Sequence, residues 1–343
     1  MGSYFLDTEN RISGHKIRKF REYAKLLRLY ALPVYCIIPI IGLLTVRDIT
    51  SISIGHIFIL LIVGALTIIY GHVLNEYTDL HVDRLSAALS KKPLVSGVIP
   101  RWHALVISFF SLLGAIILSC FYFNDLFVFT LLLIALILAG LYNILHKKIP
   151  GSDLFIAGAV FFFFLFGAAT ASHHFGHLTY IIGGLLFLRE LIANSIESAL
   201  KDIEHEYKVG IKTMPVLLGV RVNGDKLTIT KKFWAYAVGL EMIFMAMLIF
   251  AIYLFRFNNL LWITIFLILA LALFYTKFGY LDMKFFQREK LKKKIGVHEM
   301  VVFTCLIAVF LIFIGVAAAL IAAISVICSI LSMFVVYGTS PTI

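Results

Sequence analysis

From Ile54 to Leu74 the chain runs for 21 residues without one Asp, Glu, Lys or Arg. About 20 apolar residues in a helix cross the hydrocarbon core of a bilayer. Comparable runs cover residues 33–46, 102–123, 126–145, 154–171, 178–199, 233–255 and 260–274. A last run, 300–337, is nearly twice as long as one crossing needs. It reads as one span with an apolar extension; two spans turning near residues 323–325 are the alternative. Within lipid each span must satisfy its own backbone, so the spans are helices. With 61% hydrophobic residues and 31 Phe, the chain has more apolar material than a soluble domain uses. The expected fold is an all-α integral membrane protein. About nine transmembrane helices form a bundle around a central cavity, as two pseudo-repeated four-helix halves plus a closing helix.

The cations set the expected topology. The net charge is +11, but Lys and Arg flank the apolar runs. They therefore read as topology and anionic-lipid contacts, with no nucleic acid as partner. They gather in residues 1–30 and in the loops after the second, fourth, sixth and eighth runs. That alternation predicts a multi-pass protein with a cytoplasmic N-terminus and, after nine crossings, a C-terminus outside. In a prokaryote the membrane would be the plasma (inner) membrane. Residues 1–30 lack the short apolar core of a cleaved signal and form a basic cytoplasmic segment. Within it, 17–30 is amphipathic and reads as a surface helix. A membrane domain over 31–320 and an apolar extension over 321–343 complete the expected organisation. Cys36, Cys120, Cys305 and Cys328 lie in apolar runs without metal-ligand spacing and read as small buried hydrophobes.

Two polar ladders interrupt this pattern. Asn75, Asp79 and Asp83 are four residues apart at the end of the second run. A continuing helix stacks them on one face, about 6 Å apart along the axis. Ser198, Asp202 and Glu206 repeat the arrangement at the end of the sixth run. Carboxylate and amide oxygens in this array suit a hard divalent cation such as Mg2+. Facing one another, the ladders would hold a metal-bound diphosphate between them. Arg189, Glu190 and Glu241 lie inside spans, where charge is costly, and are expected to pair across helices or line the cavity. His173, His174 and His177 lack a nearby Cys or carboxylate and read as a polar loop.

The ladders and their flanks resemble the UbiA superfamily of intramembrane prenyltransferases. Asn75-x3-Asp79-x3-Asp83 followed by Lys92-Pro93-Leu94-Val95-Ser96-Gly97 is similar to its first signature. Lys201-Asp202-x3-Glu206-x3-Gly210-Ile211-Lys212-Thr213-Met214-Pro215 is similar to its second, and Tyr142-Asn143-x3-Lys147 resembles a weaker third element. The resemblance extends over roughly residues 25–320. Lys92 stands where the family usually has Arg, Glu206 where it has Asp, and Ser198-Ala199 where Asn or an acid is common.

This resemblance implies Mg2+-dependent transfer of a prenyl group from an isoprenyl diphosphate to a hydrophobic or aromatic acceptor, with release of diphosphate. Asp79, Asp83, Asp202 and Glu206 would be catalytic and, with Asn75, would hold about two Mg2+ ions. Lys147, Lys92, Arg28, Lys201, Lys212 and Asn75 would contact the diphosphate, although Lys201 equally suits an ion pair with Glu197. Tyr70, Tyr142, Phe187, Ser198 and Glu190 would line the prenyl and acceptor cavity. A membrane terpene cyclase would use the same ionisation. A transporter of an anionic lipid or metabolite fits less well, because the acids gather on one side.

Overall fold

The computed structural model describes residues 19–85 and 89–337. Arg11, Lys16 and Arg18 lie outside the described residues. Residues 19–26 are helical, and this helix packs against the protein: Leu26 joins Val73, Leu80, Leu94 and Ile99 in a small cluster.

Eleven helices carry the fold: α1 (Leu32–Leu44), α2 (Ile54–Asp83), α3 (Arg101–Phe123), α4 (Leu126–Leu145), α5 (Asp153–Ala169), α6 (His177–Ile192), α7 (Ala199–Val209), α8 (Lys231–Leu254), α9 (Leu260–Leu281), α10 (Arg288–Phe313) and α11 (Val316–Tyr337). A π-turn, Ala193–Ser198, joins α6 to α7. Among the described residues, eight helical segments are long and apolar enough to cross a membrane, and α1 and α5 are shorter apolar helices. The loop after α7 carries a short helix, Met214–Leu217, and a hairpin of β1 (Arg221–Asn223) and β2 (Lys226–Thr228).

Two features position the site. At 1.5 Å per residue the 30 residues of α2 reach about 45 Å, beyond a hydrocarbon core of about 30 Å. Its last turns therefore emerge from the apolar region, and those turns carry Asn75 to Asp83. The second feature is α1, which breaks after Tyr35 because Pro39 has no N–H to offer the Tyr35 carbonyl. The broken helix lies against α5 at backbone distance. A Cβ on Gly42 would stand 2.0 Å from Phe164 O, and one on Gly167 would stand 1.8 Å from Pro39 O. Gly167→Ala must push α1 and α5 apart, at a cost of about 1–3 kcal/mol for overpacking. The expected result is a melting temperature lower by about 5 °C in detergent; an unchanged value would show that the contact is loose.

The C-terminal region differs from the expected single span. It forms two helices, and the turn lies at Ile314–Gly315, where Gly315 has φ +124°, rather than near 323–325. No charge marks this turn; a glycine in a left-handed conformation suffices. The expected boundary at 320 falls inside α11. This helix runs back along α10 and α1: Ser329 Oγ donates to Tyr30 O, and the Tyr337 and Tyr30 rings meet edge-on with centroids 5.6 Å apart. The chain at Tyr337 is therefore on the same face as Tyr30 and the acidic ladders, opposite to the placement expected after nine crossings.

Candidate active site

A cavity of about 720 Å³ opens on the face where α2, α4 and α7 end, and both ladders line it. On α2, Glu76 shares a face with Asp79 and Asp83 at i, i+3 and i+7. The three carboxylates are 7%, 7% and 2% exposed, and each is held by cations. Arg28 approaches Glu76 at 2.7 Å, and its Nη2 donates to Asn75 Oδ1 at 3.3 Å. Lys92 bridges Glu76 (3.1 Å) and Asp83 (2.8 Å). Lys147 bridges Asp79 (3.1 Å) and Asp83 (3.4 Å), and His146 Nε2 lies 3.1 Å from Asp79. Three carboxylates thus meet three permanent cations. Burial works against the charge of Lys92, but Glu76 and Asp83 outweigh it and hold its ammonium pKa above the ordinary value.

The facing wall comes from the helix that continues past the π-turn. Asp202 pairs with Arg288 of α10. Glu206 accepts a hydrogen bond from Thr213 Oγ1 at 2.8 Å. Burial pushes the Glu206 carboxyl up to about 8; the Thr213 hydrogen bond opposes this and the charge of Asp202 adds to it. Further in, Glu190 accepts hydrogen bonds from Tyr35 (3.2 Å) and Asn194 (2.8 Å), and Tyr142 donates to Asn194 Oδ1 at 3.2 Å. Beyond this polar layer the wall is apolar, with Ala135, Ala139, Ile156, Ala159 and Phe163.

Asn75, Asp79, Asp83, Lys92, Lys147, Arg28, Tyr142, Glu190, Ser198, Lys201, Asp202 and Glu206 all line this cavity. Three expected residues do not. The Tyr70 hydroxyl donates to Leu136 O between α2 and α4. Phe187 lies one turn deeper than Glu190 and packs into the apolar core. Lys212 is exposed in the turn after α7. Glu197 takes Lys277 and His298 as partners, at 4.0 and 3.4 Å, instead of Lys201. Arg189 pairs with Glu299 at 3.6 Å and Glu241 with Lys277 at 3.0 Å, as their depth in the membrane demands. His173 sits in the expected polar loop, but a carboxylate is near it after all: Asp125 lies 2.8 Å away.

The donor set suits a hard cation: oxygen ligands on two facing walls, with no thiolate among them. Among the described residues no three His, Cys, Asp or Glu side chains converge on one point. Asp79, Asp83 and Asp202 are turned toward Lys, Arg and His instead, and Glu206 toward Thr213. Mg2+ commonly takes only one or two carboxylates and completes its shell with phosphate oxygens and water, so this spacing fits.

A model of the UbiA prenyltransferase family matches residues 36–294. The chain belongs to that family. Among relatives of this UbiA chain is a digeranylgeranylglyceryl phosphate synthase of Haloquadratum walsbyi, 29% identical over 154 residues, which are 44% of this chain and 51% of that protein. The chain thus spans about half the length of this relative. A protein of the same name from Methanococcus aeolicus is 27% identical over 206 residues, 59% of this chain and 70% of its own. The fold resembles a structure described for digeranylgeranylglyceryl phosphate synthase in membranes (TM-score 0.62, 22% identity, 88% of this chain and 99% of that one). It also resembles a UbiA homologue of Archaeoglobus fulgidus bound to DMAPP and Mg2+ (TM-score 0.59, 18% identity, 82% and 96%).

Of the residues that line this UbiA cavity, reading the sequence missed His146, Asp153 and Thr213; it also missed Glu76 and Arg288, which pair with the lining residues Arg28, Lys92 and Asp202. Glu76 had a signal, its i, i+3, i+7 spacing with the two aspartates. His146 follows Tyr142 by one helical turn. Arg288 had none, since it sits among loop cations and only the tertiary fold brings it to Asp202.

Proposed function

We propose that the chain transfers a prenyl group from an isoprenyl diphosphate to a hydroxyl of a glycerol phosphate lipid, with Mg2+. The carrying observation is the lattice of carboxylates and cations at the mouth of a cavity with an apolar interior. Such a site accepts a diphosphate headgroup at the mouth and a hydrocarbon chain within. The names of the two relatives favour this acceptor. In the transfer, the allylic carbon–oxygen bond to diphosphate breaks and a carbon–oxygen bond to the acceptor forms. The acceptor hydroxyl loses its proton.

Asp79 and Asp83 on one wall, Asp202 and Glu206 on the other, with Asn75, would hold the metal. Mg2+, when bound there, supplies Lewis-acid neutralisation of the departing diphosphate. Lys147, Lys92 and Arg28 turn from their carboxylates to diphosphate oxygens, as charge-assisted donors. Lys201 adds positive charge at the same mouth. Tyr142 and Tyr35 present ring faces to positive charge on the allylic carbon. Glu190 Oε2, released from Tyr35, accepts the hydrogen of the acceptor hydroxyl.

Glu206 carries a pH prediction. A carboxyl with a pKa of about 8 is protonated at pH 7 and must lose its proton to ligate a metal. Apparent Mg2+ affinity should therefore rise from pH 7 to about 9 and then level off. Calorimetry in buffers of different ionisation enthalpy should show close to one proton released per Mg2+ at pH 7. Release of no proton would place Glu206 outside the metal shell.

The test of the function is diphosphate release by the purified chain with prenyl diphosphates of different lengths, with Mg2+ or EDTA. Glycerol phosphate lipids and aromatic acceptors are supplied in parallel, and products are identified by mass. Release restored only by the glycerol phosphate lipid supports the proposal. Release with an aromatic acceptor alone, or a cyclised product without any acceptor, overturns it.

A further inference from the structure

Glu190, Asn194, Ser198, Asp202 and Glu206 all line the cavity, yet they are spaced every four residues over two helices. In an uninterrupted α-helix, 16 residues at about 100° each would leave Glu190 and Glu206 about 160° apart. A π-turn absorbs one extra residue, which reduces the angle to about 60°. The π-turn at Ala193–Ser198 thus brings the polar cavity residues of α6 and the acids of α7 onto one face.

Side chains sustain this turn from both sides. The Ala199 N–H reaches Asn194 O, five residues back. Two carbonyls entering the turn are met by side chains: Asn194 Nδ2 donates to Glu190 O (2.9 Å) and Ser195 Oγ to Leu191 O (2.7 Å). Behind the turn, Tyr236 of α8 donates to Ser195 Oγ at 3.0 Å. Glu197 enters a fully buried ion cluster there. His298 of α10 lies 3.4 Å from it and Lys277 of α9 4.0 Å, while Glu241 of α8 lies 3.0 Å from Lys277 and 3.6 Å from His298. Lys277 and His298 are 0% exposed. A buried ion cluster is a poor source of stability, because desolvating the charges offsets their attraction, but removing one partner leaves the others buried and uncompensated. Here it ties three helices to the back of one turn.

We propose that Glu197, gripped by Lys277 and His298, is a positioning residue that holds the π-turn and keeps Asp202 and Glu206 facing the diphosphate. The inference rests on the reading of those two acids as metal-holding groups. Without the grip, the turn relaxes to regular α-helix and α7 rotates by about 100°, one residue's worth.

The test uses the full chain with Glu197→Gln and Lys277→Met together, which removes one charge of each sign and leaves Glu241 against His298. Mn2+ binding in the presence of inorganic diphosphate is read by EPR, alongside the Mg2+ dependence of diphosphate release and thermal melting. The double variant should melt cooperatively. Half-saturation by either metal should rise about tenfold, with KM for the prenyl diphosphate at saturating Mg2+ within about twofold of wild type. A folded double variant with wild-type metal half-saturation overturns the proposal. A second variant, deletion of Glu197 with Lys277→Met, removes the extra residue and restores the register in a plain α-helix. It should bind Mn2+ within about threefold of wild type, and binding weaker than in the double substitution overturns the register account. Asp202→Ala separates the two readings. Unchanged metal binding there sinks the metal assignment and this inference with it; weakened binding beside an unaffected double variant sinks the positioning role alone.

Discussion

Alanine at Asp79 or at Asp83 is expected to slow diphosphate release by at least about a thousandfold, while the chain still melts cooperatively. Each substitution removes an oxygen ligand from the proposed metal site, where neutralising the leaving group is the main catalytic demand. Each also strands its partners: Asp79 holds the His146 ring and the Lys147 ammonium, and Asp83 holds the ammonium groups of Lys147 and Lys92. The stranded ammonium groups keep some access to water, since the Lys147 and Lys92 side chains are 18% and 27% exposed. The loss of stability should therefore stay small beside the loss of rate. Asp79→Asn preserves shape and removes only charge, and it should be nearly as inactive as Asp79→Ala. Turnover near wild type in both alanine variants would end the metal assignment.

Lys147→Ala should move two affinities in opposite directions. In the substrate-free protein Lys147 lies between Asp79 and Asp83 and neutralises both. Its removal frees those oxygens, so Mg2+ alone should bind more tightly. The diphosphate, in contrast, loses a charge-assisted donor worth about 1.5–3 kcal/mol, and KM for the prenyl diphosphate should rise about 10- to 100-fold. Metal titration without substrate and steady-state kinetics at saturating Mg2+ separate the two effects. An unchanged KM would reduce Lys147 to a counter-charge for the aspartates.

The cations at the mouth of the cavity also explain how much of it was legible in the chain. Asp79, Asp83, Asp202 and Glu206 stood out because acids at the ends of apolar runs break a pattern that the bilayer enforces. Lys147 and Lys92 stood out only through the family resemblance, since isolated cations beside a span look like any topology signal. Arg288 was invisible for that reason: it is one of six cations between Lys284 and Lys294, and nothing in their spacing marks the one that reaches Asp202. Tyr70 and Phe187 looked equally suited to the cavity, but the depth and direction of a side chain within a span depend on which neighbours surround it.

By itself the sequence determined that the chain is a helical membrane protein, roughly where its spans lie, and which helix ends carry the acids. Those properties follow from hydrophobicity and helical period, which act within one segment. Only the tertiary structure decided that 300–337 contains a reversal at Gly315, that α11 returns to Tyr30, and that a π-turn aligns α6 with α7. A turn inside apolar sequence leaves no charge to mark it. A π-turn depends on partners from α8, α9 and α10, which are 41 or more residues away in the chain.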